Sequence, residues 1–190
     1  MFIYQFYFFI LMKTYRKFIL KLELIGIIFI IILGSMLHFT FELSGKNLLV
    51  AIFSAVNESV WEHLKLAFWP TILYAVIEYR FLKKIVANFF FSKAVGIYLM
   101  PLSIVFLFYS YRTFLEENLV LDILIFIIAV VVGQFVSYKL MIRKSVLNIY
   151  SKFSIFALVF LATIFIIFTF YPPHLPIFQD PVTGGYGFTE

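Results

Sequence analysis

The chain has 190 residues, of which 64% are hydrophobic and only 13% charged, with a formal net charge of +5 and no cysteine. Soluble domains carry about a quarter charged residues, so this composition belongs to a membrane protein, and the length suits one compact bundle with no second domain of ordinary size. The lack of cysteine excludes disulfides, thiolate metal ligation and a cysteine nucleophile.

Taken in order, residues 1–11 are apolar but too few to cross about 30 Å of hydrocarbon as a helix. They also precede the basic residues Lys13, Arg16, Lys17 and Lys21, the reverse of a signal peptide's order. The expectation is a native start at Met12, or an interfacial extension over residues 1–11, within a basic N-terminal segment of residues 1–21. A first spanning helix is predicted over residues 22–41, with Gly34 and Ser35 small enough to admit a close neighbour. His38 and Glu42 fall four apart on one face, and Ser44-Gly45 ends the helix. Residues 48–56 are apolar but short, which predicts an interfacial or re-entrant piece.

A second helix is predicted over residues 57–79, with Asn57 as its cap and Glu58 in its first turn, where a carboxylate suits the helix dipole. Pro70 bends it and frees a carbonyl one turn earlier. Further spans are predicted over residues 94–111, 119–138 and 153–170. The tail, residues 172–190, contains Pro172, Pro173, Pro176 and Pro181, which forbid regular helix, and a turn at Thr183-Gly184-Gly185. The predicted fold is therefore an all-α membrane bundle of about five transmembrane helices over residues 22–171.

Charge sets the expected orientation. Lys13, Arg16, Lys17, Lys21, Arg80, Lys83, Lys84, Lys93, Lys139, Arg143, Lys144 and Lys152 fall on one side, 12 in all, against Lys46, Lys65 and Arg112, 3 in all, on the other. The positive-inside rule then places the N-terminus in the cytoplasm and the C-terminus outside. In this reading the basic face meets anionic lipid, nucleic acid is an unnecessary partner, and a protein partner or oligomer remains open. The expected location is a bacterial inner membrane, multi-pass.

The same topology gathers His38, His63, His174, Glu42, Glu58, Glu62 and Asp180 at the outer face. Residues 57–65, Asn-Glu-Ser-Val-Trp-Glu-His-Leu-Lys, place more ionisable groups at a helix mouth than anchoring needs, and such groups are costly unless paired, wet or used. Glu58 and Glu62, expected on one helical face, with His63 form the candidate catalytic group. His38, Glu42, His63 and His174 are candidate ligands for a divalent metal such as zinc. Asn57, Trp61, Lys65, Asp180 and Tyr186 are candidates for ligand or partner binding, with the tail folding back as a lid. The structural alternative pairs Glu62 with Lys65 or Arg112 and makes Trp61 and Trp69 interfacial anchors. A Ser59–His63 nucleophile pair lacks any nucleophile elbow around it. A transporter would show polar residues or broken helices nearer mid-membrane.

The segments His38-Phe-Thr-Phe-Glu-Leu-Ser-Gly45, Val56-Asn-Glu-Ser-Val-Trp-Glu-His-Leu-Lys-Leu66 with Pro70, and Asp180-Pro-Val-Thr-Gly-Gly-Tyr-Gly187 resemble a family of small multi-pass membrane proteins of Firmicutes and related bacteria, classed as a domain of unknown function. The likeness runs from about Glu23 to Gly187. It implies that His38, Glu42, Asn57, Glu58, Trp61, Glu62, His63, Lys65 and Asp180 are signature positions, and it brings no activity, cofactor or substrate. The sequence therefore leaves two readings. One is a small membrane protein with an extracytoplasmic ligand- or partner-binding site. The other is a metal-dependent membrane hydrolase acting on a lipid or lipid-linked substrate.

Overall fold

The computed structural model describes the backbone of residues 2–143 and 148–188, and the side chains of residues 13–143 and 151–188. Its described residues form six α-helices and no sheet: α1 (Phe2–Leu43), the one-turn α2 (Leu48–Ala51), α3 (Val60–Leu82), α4 (Phe89–Arg112), α5 (Leu119–Met141) and α6 (Asn148–Phe170), followed by a single 3-10 turn at Pro176–Phe178. Four stretches are long and apolar enough to cross a membrane: Lys13–Leu43, Phe89–Arg112, Leu119–Met141 and Ser151–Phe170. Helix α3 falls outside this set because it carries Glu62, His63, Lys65, Glu78 and Arg80. Its ionisable side chains at 62, 65 and 78 are buried inside the bundle.

Residues 2–11 continue α1 as helix. Their side chains, and with them the expectations of a start at Met12 or an interfacial extension, lie outside the described residues.

The core joins all five long helices through Ile30, Ala67, Phe68, Ile97, Met100, Ala129 and Phe165, none more than 1% exposed. The outward faces are apolar as well, with Ile28, Phe39, Leu102, Phe106, Phe156 and Phe160 exposed. An apolar outside around an apolar core departs from the soluble pattern and suits helices whose outer surface meets hydrocarbon. Two close backbone contacts replace bulky packing. Between α4 and α5, Gly96 and Gly133 face each other, and a methyl group on Gly96 would lie 2.5 Å from the Gly133 carbonyl oxygen. Between α1 and α3, a methyl group on Gly34 would lie 2.5 Å from the Leu66 carbonyl oxygen and 2.8 Å from the Phe126 ring. Leu66 stands four residues before Pro70, whose missing N–H leaves that carbonyl without its helical donor. The small residue of α1 thus fits the part of α3 that the proline alters.

Several element ends differ from expectation. Helix α3 starts at Val60 and not at 57, because Ser59 is the N-cap and its hydroxyl accepts from the Glu62 N–H at 3.4 Å. Glu58 accordingly precedes the helix. Helix α1 stops where Gly45 and Lys46 both take positive φ, 68° and 60°. Lys65, expected within the second helix, and Lys93, expected in the turn before the third span, are both buried ion-pair partners, 0% and 1% exposed.

A candidate metal centre at one end of the bundle

Helix α1 brings His38 to the site and α3 brings His63. Gly34 stands one turn before His38, and Leu66 stands one turn after His63, so the close Gly34–Leu66 approach sets the distance between the two imidazoles. Their Nε2 atoms lie 3.1 Å apart.

The third group comes from the loop between α2 and α3, which is pinned on every side. Ser54, fully buried, inserts its hydroxyl into the end of α1, accepting from the Phe41 N–H at 3.0 Å and donating to the Leu37 carbonyl. The Val56 N–H donates to Glu62 Oε2 at 3.1 Å. Asn57 accepts from the Ser59 N–H and donates to the Gly187 carbonyl, both at 2.9 Å, tying the loop to the tail. Held in this way, Glu58 places Oε2 3.6 Å from His38 Nε2 and 3.4 Å from His63 Nε2.

These three atoms can all bind one cation. With bonds of about 2.0–2.2 Å to nitrogen and carboxylate oxygen, adjacent ligand atoms around a tetrahedral ion lie about 3.3–3.5 Å apart. The observed edges are 3.1, 3.4 and 3.6 Å. His63 Nδ1 lies 2.9 Å from the Ser59 carbonyl oxygen. A donor at Nδ1 leaves the Nε2 lone pair free, the second-shell arrangement that orients a metal-binding histidine. Two imidazole nitrogens 3.1 Å apart repel unless a proton or a cation lies between them. When His63 carries that proton, its hydrogen bond to Glu58 holds the Glu58 carboxyl below its ordinary value, outweighing the opposing effect of burial.

Beside the triad lies a cavity of about 540 Å³. Gly34, Leu66, Ile104, Phe108, Ile123 and Phe126 supply its apolar wall, and Arg112, Glu117 and Asp122 are polar groups elsewhere on its lining. Tyr111 donates to Asp122 Oδ1 at 2.6 Å. The tail closes one side through Pro176, Gln179 and Pro181.

The other predicted residues take separate places. Glu62 points away from the imidazoles, as adjacent positions on a helix require, and pairs with Lys65 at 2.6 Å. Thr169 of α6 donates to Glu62 Oε1 at 3.3 Å, and Lys65 donates to the Ala51 carbonyl and to Thr169, each at 2.8 Å. The pairing of Glu62 with Lys65 is thus present, and none with Arg112 occurs among the described residues. Glu58 and Glu62 do not share a helical face, because Glu58 lies outside the helix. Glu42 is exposed, beyond the triad on α1. His174 lies in the tail with its ring 4.5 Å from that of Tyr186.

Asp180 organises the tail turn, accepting from the Val182 N–H and the Thr183 hydroxyl. Trp61 packs on Phe165, Phe168 and Phe178 at 4.9, 5.5 and 4.7 Å, so it clamps the tail and is more than an interfacial anchor. Ser59 uses its hydroxyl to cap α3 and only its carbonyl to meet His63, which removes the serine nucleophile. Sequence reasoning missed Ser54 and Thr169, since a lone serine or threonine in an apolar run signals nothing about the partner it will meet.

No curated protein and no solved structure matches the chain. A family model does match, over residues 8–188, and its description is Family of unknown function (DUF6512). With nearly the whole chain inside that match, the protein belongs to this family of unknown function.

Proposed function

We propose that the protein is a divalent-metal-dependent membrane hydrolase acting on a lipid or lipid-linked substrate, with His38, Glu58 and His63 as its metal ligands. The observation that carries this reading is the convergence of three ligand atoms, from two helices and a pinned loop, beside a cavity with one apolar wall. Two histidines and one glutamate are a ligand set that suits zinc and also non-haem iron. A metal held by these three residues would polarise a substrate carbonyl or phosphoryl oxygen and would activate water.

In this reading the chain's own residues divide the remaining work. The apolar wall takes the hydrocarbon part of the substrate. Arg112 faces an anionic part of the headgroup, and Glu117 or Asp122 exchanges protons with the reacting groups. Glu62, whose oxygens are taken by Lys65, Val56 and Thr169, positions the Glu58 loop and has no acid–base part.

Helix α3 serves as a fifth span. Its buried charges are paired inside the bundle and do not meet lipid, which is how ionisable residues are accommodated in a membrane. The excess of Lys and Arg at the opposite end supports an orientation with the triad on the outer face of a bacterial inner membrane and anionic lipid at the cytoplasmic face.

A second reading, ligand or partner binding without chemistry, is favoured by one observation: Glu62, the carboxylate next to His63 in sequence, is committed to an ion pair. Elemental analysis of detergent-purified protein beside a His38→Ala/His63→Ala variant separates the two. Near-stoichiometric metal lost in the variant, together with metal-dependent release of product from a lipid ester or phosphoester, supports the hydrolase. Protein that stays metal-free after incubation with zinc, manganese or iron overturns it.

A further inference from the structure

A second charged cluster is built into the far end of the same bundle. Glu23 precedes His38 by 15 residues on α1, and Glu78 follows His63 by 15 on α3, about 22 Å along each helix at 1.5 Å per residue. There Lys93 of α4 places its Nζ 2.9 Å from Glu23 Oε2 and 2.5 Å from Glu78 Oε2, and donates to Gln134 Oε1 of α5 at 3.4 Å. Four helices therefore contribute one polar side chain each to a site in which no residue is more than 2% exposed.

Two features distinguish this cluster from a structural salt bridge. The first is charge. Two carboxylates share one ammonium, and among the described residues no other Lys, Arg or His lies within ion-pair distance of either. The remaining neighbours bring no balancing charge. From α3, Tyr74 donates its hydroxyl to the Leu22 carbonyl at 2.5 Å and holds its ring 5.9 Å from Lys93 Nζ. From α5, the Ser137 hydroxyl faces Glu23. The second feature is unmet hydrogen bonding. Glu23 Oε1, Glu78 Oε1 and Gln134 Nε2 are all buried without a hydrogen-bond partner. Buried polar atoms are otherwise almost always paired, and an unbalanced buried charge is strongly disfavoured.

We propose that Glu23 and Glu78 together form a proton-binding site, holding one exchangeable proton between them while Lys93 keeps the other carboxylate ionised. Uptake converts one carboxylate and one proton from water into a carboxylic acid, which leaves the cluster neutral and puts a donor between the two carboxyl groups. A metal ion fits less well. Lys93 already fills the position between the carboxylates, and hard cations take six or more oxygen ligands, more than the free oxygens here provide. The site joins α1, α3, α4 and α5, so its occupancy is coupled to the packing of that end of the bundle. This inference does not depend on the hydrolase reading.

Infrared difference spectroscopy of the full chain in bilayers tests it, using wild type, Glu23→Gln, Glu78→Gln and Lys93→Met. At neutral pH the wild type is expected to show the carbonyl stretch of a buried protonated carboxyl, with a small downshift in heavy water. Each glutamine variant should lose the band, because the carboxylate left behind pairs with Lys93. Lys93→Met should strengthen it, since both carboxyls are then neutral. No such band in the wild type, a band that appears only when sodium is withdrawn, or a band unchanged in both glutamine variants would each overturn the proposal. The glutamine substitutions preserve side-chain shape, and a circular-dichroism melt confirms that each variant measured is folded.

Discussion

Gly34 of α1 and Leu66 of α3 lie so close that a methyl group on the glycine would come within 2.5 Å of the Leu66 carbonyl oxygen. One turn further along each helix, His38 and His63 meet at 3.1 Å. The imidazole pair is thus a product of backbone proximity, set by a glycine on one helix and a proline-altered carbonyl on the other. A metal site whose edges must hold to a few tenths of an ångström needs such a rigid spacer, because ligand placement controls affinity as much as ligand identity does.

Gly34→Val tests that spacer. The added side chain meets the Leu66 backbone, which cannot swing aside as a side chain would, and the tip of the Phe126 ring. Forcing bulk into a tight helix contact costs about 1–3 kcal/mol, and here it drives α1 away from α3. The expected outcome is a folded protein with a lowered melting temperature and metal affinity reduced at least tenfold, measured by competition with a chromogenic chelator. Unchanged metal affinity would mean that the two helices do not set the ligand spacing.

Metal should in turn stabilise the fold, because its ligands converge only in the native state. Binding to the native form alone contributes about 2.7 kcal/mol at a free metal concentration of 100 times Kd. Thermal melts with added zinc or after chelation should differ by several degrees in the wild type. The difference should vanish in Glu58→Ala, which removes the loop ligand and leaves both helices intact. An equal shift in that variant would locate the metal elsewhere.

Much of this arrangement was legible in the sequence, and the illegible part has identifiable causes. The apolar runs mark the spans, and the polar residues 57–65 stand out because hydrocarbon tolerates few such groups. The smallness of Gly34 and Ser35 signals a close helix contact. The roles of Glu58 and Glu62 were harder to separate. Helical periodicity puts residues four apart on one face, but that rule fails once Ser59 is the cap and Glu58 lies outside the helix. Lys93 carries no sequence mark of burial, since at the edge of an apolar run it looks like a loop charge. Its partners, Glu23 and Glu78, are 70 and 15 residues away, and only the packing of three helices brings them together.

The Glu62–Lys65 pair gives a prediction that separates positioning from ligation. Both side chains are at most 1% exposed. Removing one member of a buried pair leaves the other charge uncompensated and costs about 3–5 kcal/mol, whereas replacing both with apolar groups is often close to neutral. Lys65→Met should therefore destabilise strongly, and Glu62→Leu/Lys65→Met should recover much of the loss. The recovered double variant still lacks the acceptor for the Val56 N–H, so its Glu58 loop is looser. Metal affinity should stay reduced in it although the fold is restored. Full recovery of affinity would show that Glu62 has no part in positioning Glu58.

Asn57 links the same loop to the tail, through the Ser59 N–H on one side and the Gly187 carbonyl on the other. Asn57→Ala removes both bonds and leaves the tail held by the Trp61–Phe178 contact, the Phe188 N–H to Thr169 carbonyl bond and the packing of Phe188 on Phe41 and Phe170. A hydrogen bond of this kind contributes about 0.5–1.5 kcal/mol, and Asn57 makes two, both partly buried. The expected result is faster limited proteolysis within residues 172–188, with α3 still protected and the metal retained at lower affinity. If the tail also shapes the substrate cavity through Pro176, Gln179 and Pro181, the same variant should raise KM for a lipid substrate more than it lowers kcat. A fall in kcat at unchanged KM would place the effect of Asn57 on the ligand geometry of Glu58, because the tail contributes no group to the triad itself.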